Sequence, residues 1–240
     1  MRSALSHPLI WVSLAGILLL SIQAQEYQVT ILYLPCAEVS MSYPRSNQIR
    51  FTTKTKGIID YIWPVDNEYL TAFDSVTFAL REYSKEVKQG AFEQTFHLRY
   101  NLENGTLEFP SEARPRPREI QSIFTLLARV QQETVAKLDA RWFTLDHEGR
   151  LYKGRFLWAD SVNIKALGKE IPCDHYRLDL IPLEHSEEEP ILTHSDYFMS
   201  HIIATNAVRQ LWVERGKSRR IIKASVTVYG IPVEALITND

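Results

Sequence analysis

The chain lacks a surplus of either charge. Its 27 Lys and Arg face 29 Asp and Glu, a formal net charge of −2 over 240 residues. A general nucleic-acid binder needs a large basic excess to displace counterions from phosphates, so that class is excluded. Internal repeats and low-complexity tracts are also missing. With 45% hydrophobic, 23% charged and 11% aromatic residues, the composition is that of an ordinary folded protein, and it rules out a disordered chain, a collagen-like repeat and a multi-span membrane protein.

Signatures of chemistry are equally scarce. There is no Gly-x-Ser-x-Gly elbow and no His-Glu-x-x-His pair. Gly216-Lys217-Ser218 imitates the end of a phosphate-binding loop, but Leu211 stands where the earlier glycine is required, and the segment joins strands instead of feeding a helix. Lys217 and Ser218 read as turn residues. His185, His194 and His201 could in principle converge on a metal, yet no pair has the tight spacing of a metal motif, and no metal or cofactor is assigned. His97 reads as a polar residue on the outward face of its strand.

Only two cysteines occur, Cys36 and Cys173. Their context is set by the first 24 residues. Arg2 precedes the apolar stretch Leu9 to Leu20, and Ile22-Gln23-Ala24 closes it with a small residue. That order describes a secretory signal peptide over 1–24, followed by one domain over 25–240. The run is shorter than the roughly 20 residues of a transmembrane helix. The alternative is an uncleaved signal-anchor, in which case the leader is the chain's membrane contact. Export makes a Cys36–Cys173 disulfide the expected state, with two buried thiols as the alternative. A bridge closing so long a loop is worth about 4–5 kcal/mol by chain entropy.

What is present is mostly alternation of period two. Tyr27, Val29, Ile31 and Tyr33 open it; Ile49, Phe51 and Thr53, then Val76, Phe78 and Leu80, continue it. Phe92, Phe96, Leu98 and Tyr100 lead to Asn104-Gly105, a pair suited to a type I′ hairpin turn. A second hairpin is predicted at Asp146-His147-Glu148-Gly149, between Trp142–Leu145 and Leu151–Trp158. Tyr176, Leu178 and Leu180 alternate in the final third, and Ile222, Ala224, Val226 and Val228 form the cleanest strand. Pro232 marks a bend before Val233–Ile237. The spacing leaves no room for crossover helices, so the strands must pair as antiparallel neighbours.

One segment breaks the rhythm. Ile120, Ile123, Phe124, Leu127 and Val130 recur at helical spacing after Pro115 and Pro117, in a stretch reaching about Lys137. A shorter helix is predicted between Asp196 and Ala207, and Glu187-Glu188-Glu189-Pro190 reads as a solvated loop. The expected fold is therefore mainly β: one antiparallel, strongly curled sheet or half-barrel with a short amphipathic helix against it. Trp63, Trp142, Trp158, Trp212 and Phe124 are the candidate lining for an apolar ligand on its concave face. Plain core filling is the competing role for those rings.

Several stretches together resemble the bacterial envelope family known as domain of unknown function 3108. Tyr27–Ser42, centred on Leu34-Pro35-Cys36-Ala37, is similar to the family's first strand and kink. Glu119–Arg129 resembles its short helix, with Ser122 and Arg129 in the Ser and Arg places at altered spacing. Gln210-Leu211-Trp212-Val213 with Arg219-Arg220-Ile221-Ile222 resembles the closing Trp hairpin, and Tyr229–Leu236 the last strand. The resemblance implies an exported β protein of the Gram-negative envelope with no assigned reaction and no catalytic residues to carry over. The expected function is non-catalytic binding of a lipid, a glycan or an outer-membrane assembly partner in the periplasm. The alternative is an envelope hydrolase whose site is assembled only in three dimensions. A third reading is an interaction module that offers an edge strand to a partner.

Overall fold

The computed structural model describes residues 24–183 and 191–239. Residues 1–23 of the expected signal peptide, the Glu187–Pro190 segment and His185 lie outside them. Alternation becomes strands throughout the first half: β1 (Gln25–Ile31), β2 (Leu34–Arg45), β3 (Gln48–Thr55), β4 (Val65–Phe73), β5 (Leu80–Gln89) and β6 (Phe92–Asn101), then the short β7 (Thr106–Glu108) and β8 (Ala113–Pro115). The second half supplies β9 (Trp142–His147), β10 (Arg150–Ala166), β11 (Lys169–Pro182), β12 (Val208–Glu214), β13 (Ile221–Val228) and β14 (Ile231–Ile237). Among the described residues four helices join them: α1 (Gly57–Ile62), α2 (Ile123–Gln132), α3 (Val135–Leu138) and α4 (Tyr197–Ile203).

All the strands belong to one antiparallel sheet, in the order β8-β7-β6-β5-β4-β3-β2-β1-β14-β13-β12-β11-β10-β9. The two halves of the chain are two meanders, sewn together by β1 and β14 from Tyr27↔Ile237 to Ile31↔Val233. The sheet is not closed. Its edges are β8 and β9, and the segment before α2 ties β9 to β5: Leu80 N–H donates to Ile120 O at 2.7 Å, Gln121 N–H to Thr144 O at 2.9 Å, and Asp146 N–H to Gln121 O at 3.0 Å. Side chains complete the lacing, with Arg116 Nε donating to Asp146 at 2.7 Å. With β8 only three residues long and β9 engaged by Gln121, little free edge is left to a strand-adding partner.

The concave face is filled by α2. Ser122 caps it reciprocally: Thr125 N–H donates to Ser122 Oγ at 3.2 Å, and Ser122 N–H to Thr125 Oγ1 at 2.9 Å. Nearly every residue of the helix is buried, as expected of a helix enclosed by a curled sheet instead of lying on one. Arg129 is accommodated inside by the faces of Phe78 and Phe143, 4.8 and 4.6 Å away, and by Glu133 at 2.9 Å. Gly154 on β10 permits the close fit, because a Cβ there would stand 2.7 Å from Leu145.

Several local expectations are corrected. Leu32 and Tyr33 are the β1–β2 turn, both at positive φ, not strand. Residues 76–79 are a turn as well: Asp74 Oδ1 accepts from Val76 and Thr77 N–H at 3.1 and 2.9 Å, and the strand starts only at Leu80. Asn104-Gly105 does close a hairpin, but Asn101 pairs with Thr106, giving a four-residue loop in which Gly105 takes the positive φ. The helix begins at Ile123, not Ile120, and α3 follows it as a separate turn.

The disulfide expectation is also overturned, since both cysteines are free and buried. Cys36 sits in a small satellite cluster with Val29 and Ala37, whereas Cys173 is in the main core. Five strand steps separate β2 from β11, roughly 24 Å along the sheet, against the ~7 Å limit between Cα atoms of a bridge. Each thiol instead donates locally, Cys36 to Val29 O at 3.5 Å and Cys173 to Ile171 O at 3.4 Å.

Candidate binding cleft

Antiparallel order sorts the turns between two ends of the sheet. The β1–β2, β9–β10 and β13–β14 turns share one end with the last residues of β3, β5 and β11, and this end is called the mouth. The pleat on β4 and β5 sends Asn67, Tyr69 and Thr71, and Tyr83 and Lys85, to the concave face. Tyr69 stands opposite Lys85 and Thr71 opposite Tyr83.

A lysine with none of its side chain exposed must meet anions or lose its charge. Two carboxylates reach it from the mouth. Glu148, in the β9–β10 turn, bonds Lys85 Nζ directly, and Asp196, which caps α4, lies 3.2 Å away. Asp196 also accepts from Tyr69 OH at 2.9 Å and from Met199 N–H at 3.0 Å, so one carboxylate orients three elements. Burial, together with Asp196, pushes the Tyr69 phenol far above its usual range; burial does the same to Tyr83. Both therefore stay neutral. Phe124 closes the group from the helix side, its ring 5.3 Å from that of Tyr69, 5.7 Å from Tyr83 and 5.2 Å from Phe51.

The turn that carries Glu148 is itself clamped. The hairpin expected around Asp146–Gly149 is present, and its turn is the two residues Glu148 and Gly149, both at positive φ. Gly149 O accepts from Arg114 at 2.8 Å and Arg116 at 3.0 Å, and its N–H donates to Asp146 at 2.8 Å. Support of this kind fixes Glu148 before any ligand arrives. The neighbouring His147 has its Nε2 3.7 Å from Glu148 Oε2, and burial holds its imidazole below the usual value.

Beside this turn opens a cleft of about 570 Å³, within the size range of small-molecule sites. Tyr152, Leu183 and Ile203 give it apolar wall; Ser195, Thr193 and Glu148 give it polar points. On the inner side of Glu148 a void of about 10 Å³, room for roughly one water, touches Tyr83 and Phe124. Tyr83 OH, Thr71 Oγ1, Asn67 Oδ1 and Ser195 Oγ are buried with no hydrogen-bond partner among the described residues. Such groups are ordinarily met by water or by a polar part of a ligand.

Of the rings expected to line a ligand site, Phe124 alone reaches this region. Trp142 and Trp158 are each 42% exposed, and Arg155 covers the former at 4.4 Å. Trp212 stacks on His175 at 4.5 Å with Lys223 at its ring, and Trp63 packs edge-on against Tyr197 at 4.9 Å. These four do not converge, because each sits on a different strand or loop and none faces the cleft. The histidines scatter as well, and the described residues contain no group of three metal ligands. Lys85 was the missed residue. Its signal was parity: the lysine falls between Tyr83 and Val87 on the inward face of β5.

No family model and no curated protein matches the chain. Solved structures do. A β-barrel-like protein of domain of unknown function DUF1849 from Brucella abortus superposes with a TM-score of 0.54 at 9% identity, covering 90% of this chain and 95% of that one. The likeness is one of fold. The hypothetical lipoprotein YmcC from Escherichia coli aligns with a TM-score of 0.41 at 10% identity over 91% of this chain and 85% of its own. A DUF1089 family protein from Pseudomonas aeruginosa gives 0.34 at 12% identity over 92% and 95%. The chain is thus built as a β-barrel-like protein, and the DUF1849 protein it superposes on is itself of unknown function.

Proposed function

We propose that this is an exported, non-catalytic envelope protein, akin to the domain of unknown function 3108 family, whose half-barrel binds an amphipathic envelope molecule in the cleft beside Glu148. The observation that carries the reading is the cleft itself, about 570 Å³ and lined by apolar side chains such as Tyr152, Leu183 and Ile203 together with polar ones such as Thr193, Ser195 and Glu148. A lipid with a polar head matches that mixture better than a glycan, which presents little purely apolar surface to Leu183 and Ile203. The ionised groups nearby support binding over chemistry. Lys85 is paired with both Glu148 and Asp196 away from solvent, so their role is to hold the turn and α4 at the mouth.

Native mass spectrometry of protein purified from the periplasm, followed by solvent extraction, tests this. A bound mass that extracts as lipid, and that is reduced by Ile203→Glu in a protein of unchanged circular dichroism, is the expected result. A bare mass with no uptake of added lipid would overturn the proposal, and an extracted sugar without acyl chains would replace lipid by glycan.

A further inference from the structure

Most of the large apolar side chains left exposed gather at the mouth. The β1–β2 turn presents Leu32, Tyr33 and Leu34 there. The β13–β14 turn adds Tyr229 and Ile231, and α1, which follows β3, adds Ile58, Tyr61 and Ile62. The sheet order β4-β3-β2-β1-β14-β13 places these three tips in a row, at roughly 10 Å intervals for strands about 4.8 Å apart. Their tyrosines are 89% (Tyr33), 92% (Tyr61) and 86% (Tyr229) exposed.

No residue of α1 is buried, and no side chain caps it. A helix this short has nothing of its own to hold it, so an apolar partner surface is what its sequence suits. Charge identifies the partner. Across the three tips only Lys56 and Asp60 are ionisable as cation and carboxylate, and both are engaged, Lys56 by Glu38 and Asp60 by Thr55 Oγ1 at 2.8 Å. With one charge of each sign the row itself has no net charge, and its complement is an uncharged apolar phase. The tips are convex, two hairpin corners and a helix, and each carries a tyrosine beside aliphatic residues. That combination suits the boundary of a bilayer, where a ring lies in hydrocarbon and its hydroxyl stays wet.

We propose that this row is where the protein rests on a lipid bilayer, the three tips entering the headgroup region of an uncharged leaflet. The cleft opens at the same end and so faces the membrane in this pose. The inference needs only the rim, and stands whatever the cleft holds.

The test is flotation of the purified protein with phosphatidylcholine vesicles, alone or mixed with phosphatidylglycerol, at low and high salt. Wild type is expected to float with both, insensitively to salt. The Tyr33→Ser/Tyr61→Ser/Tyr229→Ser variant, which keeps the same N-terminus, is expected to lose at least about tenfold in binding. As a check that does not depend on that variant, Tyr61→Cys can be labelled with a polarity-sensitive dye, both native thiols being buried. Its emission is expected to shift to the blue on phosphatidylcholine. No flotation and no shift would overturn the proposal. So would flotation only on anionic vesicles that salt reverses, or a concentration-dependent dimer that the triple variant abolishes.

Discussion

Replacing Lys85 by methionine isolates the interaction that organises the mouth. The side chain is wholly buried, Glu148 is 5% exposed and Asp196 not at all, so removing the ammonium leaves two buried carboxylates without the cation they share. Taking one partner from a buried ion pair costs about 3–5 kcal/mol, mostly the penalty of the charge left behind. A domain of this size has about 5–15 kcal/mol in total, so K85M should lower the urea midpoint by a large fraction. The double variant K85M/E148Q removes a charge of each sign and should recover part of the loss, which makes the pair a double-mutant cycle. Urea unfolding followed by tryptophan fluorescence measures all of these. A loss below about 1 kcal/mol for K85M, or perfect additivity with E148Q, would refute the argument that Lys85 is the buried link between sheet, turn and α4.

Three further outcomes follow from the same structure. Phe124→Ala should cost about 3–5 kcal/mol in chemical denaturation, since the ring packs on Phe51, Tyr69 and Tyr83 and nothing else can fill its place; a change within 1 kcal/mol contradicts this. Burial lowers the His147 pKa, so the unfolded chain takes up that proton first as pH falls: stability held above about pH 6.5 should decline below it, and His147→Gln should flatten this part of the profile. Reductant should leave the melting temperature unchanged, and native protein should resist alkylation, because both thiols are buried and burial pushes Cys173 up to about 12; a fall of several degrees on reduction would instead reveal a bridge.

Strand pairing was legible because most strands have one wet face. On β4 and β6 the alternation is strict, and parity alone separates Tyr69 and Leu98 from Glu68 and His97. It faded where both faces are partly covered. β13, which reads as the cleanest strand, buries Ser225 and leaves Val226 half-buried, because its pairing with β12 slips at Trp212. Turns made of apolar residues were illegible for a related reason. Leu32-Tyr33 continues an alternating pattern, and only the positive φ of both residues shows that the chain reverses there. The α2 plug was visible from spacing, and its true start, capped by Ser122, only from the structure.

The site was harder. Charge balance and motif search concern residues close in sequence, whereas Lys85, Glu148 and Asp196 are 63 and 111 residues apart. Tryptophan was the wrong guide because its size and amphipathic ring suit the outer face of a sheet when a cation covers it, as Arg155 and Lys223 do. An unexpected polar residue on the inward parity was the better pointer.

The most direct measurement is a crystal structure of the protein purified natively, without refolding. The account predicts elongated density between Tyr152 and Ile203, with its polar end near Ser195 and the Lys85–Glu148 contact intact. A co-purified molecule bound anywhere else, with this cleft filled by the protein's own side chains, would contradict it.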